Sequence, residues 1–225
     1  LRSIWARGLI TLVKTIEDKF NVEYDTDGPA LDGYIPVGRT VDAVSRIARG
    51  LANGQAESAF SVTGPYGSGK SSFAVLLDAL FGPETEPSRT TAHELIRTVS
   101  PEVAQLVEEA RNSYGAHTTG VIRAVITAER EPIAVTVLRA LMHGVERFGP
   151  PAKAKQALNA VAKDIREMHT AFNASPSVLP DSHKLKSVVA SLTECAPVLL
   201  VIDEFGKNLE AFADSHSDAD LYLLQ

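Results

Sequence analysis

The segment Gly64, Pro65, Tyr66, Gly67, Ser68, Gly69, Lys70, Ser71 fits the pattern G-x-x-x-x-G-K-[ST]. A physical reason attaches to each position. A triphosphate carries several negative charges and has to be held without a bulky wall. Glycines at 64, 67 and 69 let the backbone curl until successive N–H groups point inward as an anion nest. A helix starting near Lys70 aims the positive end of its dipole at the same point. Lys70 sets a mobile ammonium on the β- and γ-phosphates, Ser71 offers a hydroxyl to Mg²⁺, and Ser72 reaches toward the α-phosphate.

A second constellation stands far along the chain. Val198, Leu199, Leu200, Val201 and Ile202 form a continuous apolar run that ends in Asp203 and Glu204. A carboxylate at a strand tip beside a phosphate loop can hold Mg²⁺ through water, the role expected of Asp203. Glu204 is expected to orient, or take a proton from, the water that attacks the γ-phosphate. The two motifs complete one ion site, which an acidic turn alone would not.

These residues need elements to carry them. Residues 59–63 are β-rich and bounded by glycine, which predicts a strand leading into the phosphate loop. Phe73, Leu76, Leu77 and Leu80 recur at i, i+3, i+4, i+7, which predicts a helix over 70–81 stopped by Gly82 and Pro83. The run 198–202 reads as a strand covered on both faces. Residues 121–127 read as a further strand. Pro132 opens a helix with a seam of Ala134, Leu138, Leu141, Val145 and Phe148. Thr40 is expected to cap a helix carrying Val41, Val44, Ile47 and Leu51. Residues 84–90 read as a polar loop, and 91–113 as two short helices parted by Ser100 and Pro101. Helices are also expected around Leu158–Phe172 and Leu185–Leu192. The first 20 residues read as a helix, from Ile4, Leu9, Leu12 and Ile16, followed by a turn-rich stretch over 25–33. Strands alternating with helices predict a mainly parallel α/β sheet with helices on its faces, and such a sheet carries function at the carboxyl ends of its strands.

Composition excludes several classes. The chain has 225 residues with 44% hydrophobic and 22% charged, which rules out a disordered, collagen-like or coiled-coil chain. With 22 Lys and Arg against 28 Asp and Glu the net charge is −6, so there is no global pull toward nucleic acid or an anionic membrane. The basic residues Lys153, Lys155, Lys163 and Arg166 are interrupted by Asp164 and Glu167, which gives DNA no support as a partner. Cys195 is the single cysteine, and no Cys/His set has zinc spacing. A cytoplasmic protein without a membrane span is expected. The chain starts with Leu and stops at 221–225 inside an apolar stretch, so it is expected to be a piece of a longer protein.

The pair Gly64–Ser71 and Val198–Glu204 resembles the Walker A and Walker B motifs of P-loop NTPases. The Asp-Glu form resembles the branch with a catalytic glutamate on the Walker B strand, which includes the AAA+ ATPases. The segment Tyr34, Ile35, Pro36, Val37, Gly38, Arg39, Thr40 resembles the lead-in of origin-initiator-like and STAND-like ATPases. The stretch 202–207 is similar to that of large bacterial AAA+-like ATPases, several linked to phage-defence loci. The resemblance implies a three-layer α/β/α P-loop fold over 34–225, preceded by an N-terminal helix and lead-in over 1–33. It implies ATP and Mg²⁺ as ligands and the base bordered by Tyr34 to Val37. It also implies a larger regulatory or remodelling ATPase that works as a homo-oligomer or with other protein subunits. The long separation of Lys70 from Asp203 implies helical insertions over about 84–118 and 150–195. A sensor residue, an arginine finger and a lid are expected beyond residue 225. Thr127 or Glu129 would restrain the catalytic glutamate by the same resemblance, and Arg130 would be a finger, though a solvated turn is the plainer reading of these three. Two rival readings stay open: a small-molecule or nucleoside kinase, and a nucleotide-gated interaction module with little turnover.

Overall fold

The strand β4 (Val198–Asp203) is buried along its whole length, and its alternating side chains divide the interior into two apolar clusters. In the computed structural model, which describes residues 9–14, 31, 33–53, 58–65, 68–116, 118–151, 153–176 and 178–215, β4 belongs to a four-stranded sheet. The others are β1 (Leu9–Lys14), β2 (Ala59–Val62) and β3 (Ile122–Thr127), in the order β2-β1-β4-β3. Every pairing is parallel. Parallel strands require crossovers, and the chain supplies them as helices. These are α1 (Gly38–Asn53), α2 (Lys70–Leu80), α3 (Pro87–Val99), α4 (Pro101–Ser113), α5 (Ile133–Arg147), α6 (Lys155–Ala174) and α7 (Ser182–Cys195), and a further helix, α8 (Gly206–Ser215), follows β4.

Leu199 and Val201 of β4 and Val125 of β3 join one cluster with α1 through α4. Val198, Leu200 and Ile202, with Ile122, Ala124 and Ile126, join the other with α5 through α7. The period-two alternation thus puts helices over both faces. β2 is an edge strand: Ala59 and Ser61 are exposed, while Phe60 and Val62 pack against the first cluster. α5 lies close on β3. A Cβ added at Gly144 would sit 3.1 Å from Ala124 Cα and from the Arg123 carbonyl oxygen, so glycine is what permits that approach.

Three expectations need correction. The N-terminal run is a strand over Leu9–Lys14, in register with both β2 and β4, and not a helix. A short apolar run is ambiguous by period alone, and here Ile10, Thr11 and Val13 bring the β-branched content that a pleated strand favours. Ile4 and Ile16 lie outside the described residues, as does 221–225. The lead-in expected to precede the α/β unit therefore contributes a central strand. Second, α1 starts two residues before Thr40, and the Val37 carbonyl accepts from the Thr40 and Val41 amides at 2.8 and 3.1 Å, so Thr40 is not the cap. Third, α3 begins at Pro87, inside the stretch read as loop, because proline suits a helix's first position. The break at Ser100 is as expected: its hydroxyl accepts from the Val103 amide at 3.4 Å and caps α4.

Candidate functional site

β2 hands the chain to Gly64 and Pro65, and α2 starts at Lys70. Tyr66 and Gly67 lie outside the described residues. Gly69 is the N-cap of α2, with φ 80° and ψ 19°, a left-handed conformation that L side chains resist. As a glycine, Gly69 brings no side-chain cap, and the first turn of α2 presents the positive end of its dipole here. Lys70 is only 6% exposed. Its Nζ donates to the Pro65 carbonyl at 2.7 Å and to the Ser68 hydroxyl at 3.4 Å. Both partners are neutral, and among the described residues no carboxylate pairs with this ammonium. Ser72 is half-buried in the same turn.

The acidic motif comes to the same place. Ser71 Oγ donates to Asp203 Oδ2 at 3.0 Å, in a buried contact between residues 132 positions apart. β1 lies between β2 and β4, so the strand that feeds the loop and the strand that ends in acid are not neighbours. The first turn of α2 bridges that gap. Asp203 is 1% exposed, and its Oδ1 accepts from the Glu204 amide at 2.7 Å. Glu204 is buried and stands at φ 55°, the one positive φ outside glycine among the described residues. Its carboxylate forms an ion pair with Lys207.

The lead-in stands beside this site. The Tyr34 ring lies 3.9 Å from where a Cβ on Gly69 would be. Its hydroxyl and that of Thr40 are 3.3 Å apart. Burial raises the Tyr34 phenol above its ordinary range, and the Thr40 hydrogen bond offsets part of that. Tyr34, Ile35 and Pro36 form one wall of a groove of about 530 Å³, and Leu95, Thr98 and Val99 of α3 form part of the other. Ile35 and Val37 are exposed.

Other candidates find different partners. Thr127 stands opposite Asp203 in the β3–β4 register. Glu129 pairs with Arg139 at 3.1 Å, and Arg130 pairs with Asp214 of α8. Lys163 pairs with Glu167 at 3.7 Å along α6. Sequence reasoning missed α8, and with it Lys207 and Asn208.

No family model, curated protein or solved structure matches this chain. The donor set at the site is one hydroxyl and one carboxylate, Ser71 and Asp203. Among the described residues no three His, Cys, Asp or Glu gather into a metal-binding group. A hydroxyl and a carboxylate fit Mg²⁺, which keeps several waters and is held by one or two carboxylates together with substrate phosphates. No described helix is long and apolar enough to cross a membrane.

Proposed function

We propose that this chain binds ATP with Mg²⁺ and hydrolyses it, in a three-layer P-loop fold, as the nucleotide-binding part of a larger cytoplasmic AAA+-like regulatory or remodelling ATPase. The observation that carries the reading is the 3.0 Å contact of Ser71 with Asp203, which unites the loop and the acid strand tip. The buried Lys70 ammonium, with neutral partners only, supports it from the side of the phosphates.

Lys70 leaves the Pro65 carbonyl and meets the β- and γ-phosphate oxygens, a stronger charge-assisted partner. The loop amides and the uncapped start of α2 hold the remaining phosphate charge. Ser71 and Asp203 would hold Mg²⁺, which would supply positive charge to offset that developing on the phosphates. Glu204 orients the attacking water or takes its proton. The adenine lies along Tyr34, Ile35 and Pro36, in a groove whose volume is in the range of small-molecule sites. One observation favours a second reading, the nucleotide-gated module: the Lys207 ion pair occupies the Glu204 carboxylate and would slow turnover.

The test is Mg²⁺-ATP binding and steady-state turnover in the full-length protein. Lys70→Ala is expected to weaken binding by more than tenfold. Glu204→Gln is expected to keep binding and lose turnover by about 10²- to 10⁴-fold. Unchanged binding in the first, or unchanged turnover in the second, discards the assigned role. Nucleotide binding with negligible turnover in the parent protein selects the module.

A further inference from the structure

The turn that carries Glu204 is anchored by groups that the phosphate chemistry does not use. Left-handed backbone at a residue with a side chain persists only where its surroundings over-determine it. Two anchors do this for Glu204. Phe205, 5% exposed, is pressed into the apolar cluster of α5 through α7. Asn208, 0% exposed, sends its amide to the start of α5. Its Nδ2 donates to the Glu131 carbonyl at 2.8 Å and to Thr136 Oγ1 at 2.7 Å. Thr136, also 0% exposed, donates onward to Glu131 Oε1 at 2.8 Å. Arg139 Nη1 donates to the same carboxylate oxygen at 2.6 Å.

The direction of this chain is settled by chemistry. A carboxylate only accepts, so the Thr136 hydrogen is committed to Glu131 and its oxygen needs a donor. The Glu131 carbonyl needs one too. Both are met by the Asn208 NH₂ group, while Asn208 Oδ1 is buried with no partner among the described residues. The restraint runs back along the turn. The Asn208 amide donates to the Phe205 carbonyl at 3.0 Å, and the Lys207 amide to the Glu204 carbonyl at 3.0 Å. The Ala128 amide donates to the Asp203 carbonyl at 2.8 Å and closes the unit from the β3 side.

We infer that Asn208, with Thr136 and Glu131, forms a positioning unit for Glu204. It fixes where the carboxylate stands at the strand tip, and so sets the rate of hydrolysis without touching nucleotide. The inference rests on the role of Glu204 proposed above. Misplacing a reacting group by a fraction of an ångström to an ångström costs about 10- to 100-fold in rate. Thr136→Val keeps the side chain's shape and removes the relay. Asn208→Leu removes the anchor itself.

The experiment measures Mg²⁺-ATP affinity, kcat, KM and melting temperature in the full-length protein for Thr136→Val, Thr136→Ser and Asn208→Leu, alone and combined with Glu204→Gln. Thr136→Val is expected to lower kcat about 10- to 100-fold with KM and affinity within about twofold. Thr136→Ser, which restores the hydroxyl, recovers the lost turnover. In the Glu204→Gln background Thr136→Val has no further effect on turnover, since the group it positions is gone. If Glu204→Gln slows turnover but Thr136→Val does not, the inference falls and the role of Glu204 stands. The same holds if the loss persists in the Glu204→Gln background or affinity falls in parallel. If the parent has no turnover, or Glu204→Gln leaves it unchanged, both fall together. The threonine pair decides the matter even if Asn208→Leu does not fold.

Discussion

α2 carries buried charge at both ends, and the two ends are settled differently. At the carboxyl end Asp78 accepts from Arg123 at 3.1 Å and from Arg147 at 3.1 and 3.0 Å. Glu86 closes the other side of Arg123 at 2.6 and 2.8 Å. Burial opposes the Arg123 charge, but Asp78 and Glu86 outweigh it and hold its guanidinium above the ordinary range. Arg111 donates to the Leu80 and Gly82 carbonyls at 3.2 and 2.7 Å and satisfies the helix end. At the amino end the buried Lys70 ammonium meets, among the described residues, a carbonyl and a hydroxyl and no carboxylate. A buried cation without a counter-charge is costly, and a fold keeps one where an anion is to arrive. Under the proposed function the closed end serves as scaffold and the open end receives the phosphates.

The comparison breaks most directly through stability. Arg123→Met removes the cation that Asp78 and Glu86 share and leaves the buried Asp78 with Arg147 alone. The expected loss is about 3–5 kcal/mol in a denaturant titration, with ATP affinity per folded molecule unchanged. Lys70→Met is expected to behave oppositely, with stability equal to or above the parent and ATP binding lost. Equal destabilisation by both variants would erase the distinction between the two ends. A smaller effect sharpens it. Ser100→Ala removes the cap of α4, outside both charged ends, and is expected to cost about 1 kcal/mol without altering affinity.

Much of this arrangement could be read from the chain, and what could not was non-local. The loop, the strand before it and the helix after it are contiguous, so a spacing pattern and one apolar face at i, i+3, i+4, i+7 suffice to find them. β4 is legible because five apolar residues in a row suit nothing at a sheet's centre better than a strand covered on both faces. Ser71 and Asp203 could be paired in advance only because each had a chemical reason to want the same ion. β1 was misread because Leu9 and Leu12 fit helical spacing as well as they fit a strand. What decides it is pairing with β4, nearly the whole chain away. The Asp78, Arg123, Glu86, Arg147 network and the Asn208 relay also join residues from separate elements, and no local pattern signals them. The Lys207 ion pair is likewise hidden, because it depends on the left-handed turn at Glu204 that precedes α8.

The mildest expected effect concerns the α3–α4 pair, whose α3 lines the groove on the side away from the lead-in. His93 of α3 faces Glu108 of α4, with Nε2 3.5 Å from Oε1, and Glu94 lies 4.0 Å from Nδ1. Burial lowers its imidazole below the ordinary 6.5, with Arg89, Arg97 and Arg111 adding to the shift and Glu94 opposing it. His93 is thus a base that is harder to protonate folded than unfolded. As the pH falls through about 6.5 the unfolded chain takes up the proton first, and stability declines. The decline from this residue stops once the folded group is also protonated, so it amounts to less than a full proton per molecule. Denaturant midpoints at a series of pH values from 7.5 down to 5 should show the slope, and His93→Gln should flatten it over that window. An unchanged slope in His93→Gln would assign the acid sensitivity to other groups, while the contrast between the two ends of α2, which meets His93 and Glu108 only through Arg111, would be left as it is.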